Sequence, residues 1–246
     1  MTEPKYKPIP FTAPMVRAIL EGRKTQTRRI VKVQPPGEGY VLAQCVSTTG
    51  PRRNEGRYCW VKRNGHELID CSQTYCSKPY VVGDRLWVRE NWRIGAWDEN
   101  NGRFAIDYCD GPRKEWIDVP ESTEDYLGEG VFEHYWMQCS DELSKKGILP
   151  DSDGQYHWEH GKSPLRWRPS IHMPRWASRI TLEVTGVRVE RLQDISSTDA
   201  WAEGIAHSPD TNPIHDYAEL CESINGPGAW DKNPWVWVVE FKRVEE

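Results

Sequence analysis

Gly22 separates two sequence patterns that cannot continue into one another. Before it, Thr12 can cap a helix and Pro14 sits in the first turn, where its missing N–H costs nothing. Met15, Ala18 and Ile19 then recur at helical spacing. After it, Thr25, Thr27, Arg29 and Val31 alternate with Gln26, Arg28 and Ile30, the period of a β-strand. Glycine adopts the left-handed backbone that ends a helix, so the chain must pass from helix to strand within a few residues. Lys24 and the threonines fall at that junction. The stretch from Gly22 to Arg29 also holds one lysine and three arginines, more charge than a solvated surface requires.

The rest of the chain reads mainly as strands. Gln34-Pro35-Pro36-Gly37 breaks the first pattern, and a polar region with short strands follows to about Tyr80. Gly83-Asp84 turns into a strand from Arg85 to Glu90. Residues 94–165 are acidic, glycine-rich and aromatic without a sustained period, which predicts short hairpins and one helix near Asp141 to Lys146. Leu182 and Val184 keep one phase and Val187 and Val189 the other, with Gly186 between them as a bulge or bend. Ser197 can cap a short helix ending at Gly204, and a second helix covers Ile214 to Ser223 and stops near Gly226. Trp235 to Lys242 alternates as a closing strand. Several curved strands with few helices predict an α+β chain built on a small β-barrel with flanking helices. No linker divides it, so residues 1–246 are expected to form one domain, with 34–80 and 94–165 as insertions.

A net charge of −5 argues against a protein that coats nucleic acid in bulk. Two local runs are basic nonetheless: Arg52, Arg53, Arg57, Lys62 and Arg63, and Arg166, Arg168, Arg175 and Arg179 interleaved with Trp167 and Trp176. Thirteen tryptophans against four phenylalanines supply flat faces suited to stacking as well as to core packing. No apolar run is long enough to cross a bilayer and no signal-peptide pattern opens the sequence, so a cytoplasmic protein is expected. Seven cysteines without regular spacing fit reduced thiols. His157 and His160, and Cys71 and Cys76 near Cys59 and His66, lack the paired spacing of a structural zinc site; no metal and no cofactor are expected.

Ile19-Leu20-Glu21-Gly22-Arg23-Lys24-Thr25-Gln26-Thr27-Arg28-Arg29, then Gly83-Asp84-Arg85-Leu86-Trp87-Val88, then Asp194-Ile195-Ser196 through Ala202-Glu203-Gly204, resembles in order and phase the ASCH domain, a relative of the PUA fold. Trp87-Val88-Arg89-Glu90 and His172-Met173-Pro174-Arg175-Trp176 are similar to longer phage and prophage members. The resemblance implies a PUA-like barrel. From the smallest bacterial members it implies hydrolysis of the amide in N4-acetylcytidine and related N4-acylated cytosines. The family's lysine, threonine and glutamate fall on Lys24, Thr27 and Glu203.

Such an amide needs a nucleophile, a base and an acid. Lys24, if neutral, could activate Thr27 while Glu203 donates a proton to the leaving nitrogen; alternatively Glu203 activates water while Lys24 and Thr27 stabilise the oxyanion. Arg29, Glu90, Trp92, Arg175 and Trp176 are candidates for lining the same cavity. The expected partner is a small modified nucleoside met by a monomer with no membrane contact. The competing reading is a module that reads a modified base or RNA, or a nuclease, with basic tryptophan-bearing runs following the backbone.

Overall fold

The computed structural model describes residues 4–45, 56–109, 111–121, 130–206 and 210–244. Arg52 and Arg53 of the first basic run, and Met1 to Glu3, lie outside them. In chain order the elements are β1 (Tyr6–Pro10), α1 (Ala13–Leu20), β2 (Gln26–Ile30), β3 (Tyr40–Gln44), β4 (Tyr58–Asn64), β5 (Glu67–Cys76), β6 (Arg85–Arg89), β7 (Trp92–Asp98), β8 (Arg103–Tyr108), β9 (Gly111–Asp118), α2 (Val131–Lys145), β10 (Thr181–Arg191), α3 (Ser197–Ala202), α4 (Pro213–Asn225) and β11 (Trp235–Val244). The chain is α+β, dominated by sheet. Among the described residues no sheet closes into the expected barrel; the strands form open sheets. They fall into two compact units, one of Met1–Lys5, Ala18–Arg85 and Leu182–Val244, the other chiefly of Tyr6–Arg17 and Leu86–Thr181. The region 34–80 lies in the first and 94–165 in the second.

In the first unit, β11 lies between β10 and β2. It runs antiparallel to β2, with Val238 opposite Arg28, Val239 opposite Thr27 and Trp237 opposite Arg29. Alternation sends the two faces of β11 into different cores. Val236 and Val238 pack with Ala200 of α3 and with Tyr217 and Cys221 of α4. Trp237 packs with Val31, Trp60 and Cys76, joined by Trp235, Val187 and Val189. The second antiparallel sheet, β3-β4-β5, supplies Trp60 and Cys76 to that core. Gly186 sits within a continuous eleven-residue β10; a Cβ there would come 2.5 Å from the Glu240 carboxylate, so glycine leaves room for that side chain.

The ends of the helices follow the sequence with one correction. Gly22, Gly204 and Gly226 all take positive φ just past α1, α3 and α4. The cap of α3, however, is Ser196 and not Ser197: the Ser196 side chain accepts from the Asp199 N–H at 3.1 Å. Adjacent serines offer the same oxygen, and only the backbone extended at Ser196 decides between them.

In the second unit, β7, β8 and β9 form an antiparallel sheet covered by α2. The expected short helix near residues 141–146 is the last part of a fifteen-residue helix that begins at Val131. Its buried positions, Val131, Tyr135, Cys139 and Leu143, recur every fourth residue, but Phe132, Trp136 and Met137 between them are also apolar and blur the stripe. These side chains meet Trp92, Phe104 and Ile106. Leu143→Ala should lower unfolding free energy by about 2–5 kcal/mol, whereas Met137→Ala, on the exposed side of α2, should stay within about 0.5 kcal/mol. Urea denaturation followed by circular dichroism measures both.

Candidate functional site

The turn after α1 is fixed by backbone: the N–H groups of Arg23 and Lys24 both donate to the Ala18 carbonyl, at 2.9 and 3.0 Å. Lys24 then forms an isolated antiparallel bridge with Glu203, and Thr25 N–H donates to the Ala202 carbonyl at 2.8 Å. The end of α3 is thereby laid against the start of β2. Gly204 closes this contact: a Cβ on it would stand 3.0 Å from Ala18 Cβ and 3.2 Å from Lys24 Cβ, at φ +96°.

Lys24 and Glu203, 179 residues apart, meet as a buried ion pair. Lys24 Nζ donates to Glu203 Oε2 and to the Glu203 carbonyl, each at 2.8 Å. The two side chains are 0% and 3% exposed. The second carboxylate oxygen, Oε1, accepts from Arg28 Nη1 at 3.0 Å, and Arg28 Nη2 reaches Glu190 at 2.5 Å. Burial pulls the Lys24 amine below its ordinary pKa, with Glu203 opposing and Arg29 and Arg28 assisting. For Arg28 burial also works against the charge, but Glu203, Tyr217 and Glu190 raise it. Tyr217, whose ring lies 5.8 Å from the Arg28 guanidinium, is kept protonated well above its usual pKa by burial and by Glu203. A second ring of charges surrounds this centre: Gln26 donates to Asp199 at 2.9 and 3.0 Å, and Arg188 bonds Asp199, Glu190 and Glu240. Arg28 Nε is buried and has no hydrogen-bond partner among the described residues.

The predicted residues divide between places. Lys24 and Glu203 come together. Thr27 is buried in β2, but Gln26 and Arg28 on either side both turn towards Asp199, so strand alternation directs Thr27 to the opposite face, beside Val239. Arg29 shares that opposite face with Trp237 and lines a cavity there. Glu90, Trp92, Arg175 and Trp176 lie in the second unit. Glu90 is held by a two-pronged, buried pair with Arg179, at 2.9 Å on each oxygen. Trp92 and Trp176 meet edge to face in the aromatic core, and the Arg175 guanidinium covers the Tyr6 ring at 3.7 Å. Arg28, Glu190, Asp199 and Tyr217 were not among the predicted site residues. Arg28 could have been found from its place in β2 four residues beyond Lys24; its carboxylate partners, more than 160 residues away, carry no local signal.

Metal-type donors gather elsewhere. His215, Asp216 and Glu219 on α4 bring ligand atoms within 4.8 Å of one another, His215 and Glu219 exposed and Asp216 half-buried. Cys59 Sγ lies 3.3 Å from Cys45 Sγ and 3.4 Å from Cys71 Sγ. His157 and His160 line a cavity with Trp97 and Trp158. No helix among the described residues is long and apolar enough to cross a membrane. No family model, curated protein or solved structure matches the chain.

Glu203 serves two buried cations, so Glu203→Ala leaves both facing each other and should cost at least about 3–5 kcal/mol. Lys24→Met leaves Glu203 paired with Arg28 and should cost less. The sign of the pH dependence follows from the lowered Lys24 pKa. Between that value and the ordinary 10.5 the unfolded chain binds the extra proton, so stability rises with pH across this window. Urea midpoints from neutral to alkaline pH should therefore show wild type gaining on Lys24→Met; parallel curves would contradict the shift.

Proposed function

We propose that the chain is an amidohydrolase acting on N4-acylated cytosine nucleosides, on a PUA-like scaffold of the ASCH type. The observation that carries the reading is the buried meeting of Lys24 and Glu203 at 2.8 Å, with Arg28 on the second carboxylate oxygen at 3.0 Å. The resemblance of the three sequence segments to ASCH domains supplies the substrate class. A buried lysine beside a carboxylate is the kind of pair that proton-transfer chemistry uses.

Of the two routes, the placement of Thr27 on the other face of β2 supports the one through water. Glu203 takes a proton from water as its oxygen adds to the acyl carbon. The negative oxygen that forms is held by Lys24 and by Arg28, whose Nε–H has no other hydrogen-bond partner among the described residues. Collapse breaks the bond to N4, Glu203 returns the proton to that nitrogen, and a carboxylic acid and the cytosine nucleoside leave. Because both side chains are almost wholly covered, this reading requires the residues over the pair to move before substrate reaches it.

Incubation with a panel of N4-acyl cytidines, followed by the ultraviolet spectrum of released cytidine, tests the proposal. Glu203→Gln and Lys24→Met should lose about 10²–10⁴-fold in rate with the fold retained by circular dichroism, while Thr27→Ala stays within about tenfold. An unchanged panel with wild-type protein, or full activity in Glu203→Gln, overturns it. Loss in Thr27→Ala equal to that in Lys24→Met would restore the threonine route.

A further inference from the structure

The face of β2 that carries Thr27 and Arg29 borders a cavity of about 600 Å³ whose walls are unlike those of the ion-pair site. Four cations line it: Arg29 and Lys32 from β2 and the residues after it, Arg57 just before β4, and Lys78 after β5. Three rings line it as well, Tyr75, Tyr80 and Trp237, and among the described residues no carboxylate does. Lys32, Arg57 and Lys78 form no ion pair among the described residues. Two of these cations are steadied by rings and backbone: Arg57 lies 5.9 Å from the Tyr75 ring centre and donates to the Tyr75 carbonyl at 3.3 Å, and Lys78 lies 5.2 Å from the Tyr58 ring. Cation–π contact of this kind keeps a positive group in place without neutralising it.

The volume suits one small ligand. A concentration of positive charge with no acid among the described lining residues selects an anion, in a molecule whose overall charge is −5. Inorganic phosphate alone would leave the aromatic wall unused, and a neutral ring would leave Lys32, Arg57 and Lys78 unused. The ligand class that satisfies both is a flat heteroaromatic ring tied to a phosphate. We infer that this cavity is a binding site for a nucleoside monophosphate, with the base against Tyr75, Tyr80 and Trp237 and the phosphate met by Lys32, Arg57 and Lys78. Nothing in it depends on hydrolysis at Lys24 and Glu203, which belong to the other face of β2.

Isothermal titration of the purified chain with cytidine and adenosine 5′-monophosphates, the free nucleosides, inorganic phosphate and a single-stranded deoxycytidine decamer tests the site. At least one monophosphate should bind, more tightly than its nucleoside or phosphate, and weaken as salt screens the cations. Arg57→Glu and Lys78→Glu should each lower that affinity by about tenfold or more, whereas Lys145→Glu, an exposed change of the same charge outside the cavity lining, should not. Failure of both monophosphates to bind overturns the inference. So does equal binding by phosphate alone, binding of the decamer only, or unchanged affinity in both charge-reversed variants. Glu203→Gln should bind the monophosphate as wild type does, so failure here and failure of hydrolysis are read separately.

Discussion

Taking Lys24, Arg28 and Glu203 out of water is the interaction on which the first unit depends. Each ion loses several kcal/mol of hydration in such a place, and only mutual attraction with well-aimed hydrogen bonds returns it. Both Glu203 oxygens are used, one per cation, and the Lys24 amine adds the Glu203 carbonyl. A carboxylate so fully committed tolerates little displacement. The end of α3 is thus fixed to the start of β2 in one register, which the Lys24–Glu203 backbone bridge and the close approach of Gly204 to Ala18 and Lys24 reinforce. The surrounding Asp199, Arg188, Glu190 and Glu240 extend the same logic outward, where partial exposure lowers both the cost and the reward.

Much of this scaffold was legible because its local rules agree. The helix before Gly22, the strand after it, α4 ahead of Gly226 and the alternating β11 each combine a periodic apolar pattern with a recognisable end. Where a pattern was blurred, it failed: α2 sets Phe132, Trp136 and Met137 beside its buried stripe, so only its polar end stood out. The barrel was inferred from strand number and curvature, but closure depends on which edges pair, and no run of residues states that.

The candidate site was legible in the same uneven way. Lys24 stood in a stretch of high local charge density, whereas Glu203 was picked out only by the resemblance to the ASCH motif. Their meeting is a contact across 179 residues, for which the sequence offered only the order of motifs. Arg28 read as one more cation in a basic strand; its role comes from which side of β2 it faces. Lys32, Arg57, and Lys78 with Tyr80 come from three separate connecting segments, and a cavity assembled from segment ends has no periodicity to detect.

Strand alternation also explains how one short strand can serve two opposite electrostatic settings. Arg28 turns towards Glu190, Asp199 and Glu203, and its neighbour Arg29 turns towards Lys32, Arg57 and Lys78. The carboxylates around β2 are consumed on the first face, each engaged with an arginine or Lys24. Among the described residues none lines the cavity on the second. An acidic protein can in this way keep a cationic hollow, because what selects an anion is the local arrangement of charge and not the sum over the chain. A one-residue slip of β2 against β11 would exchange the two faces, burying Arg29 among acids and turning Arg28 to the cavity, so the ion pair that pins β2 in register also preserves the character of the cavity behind it.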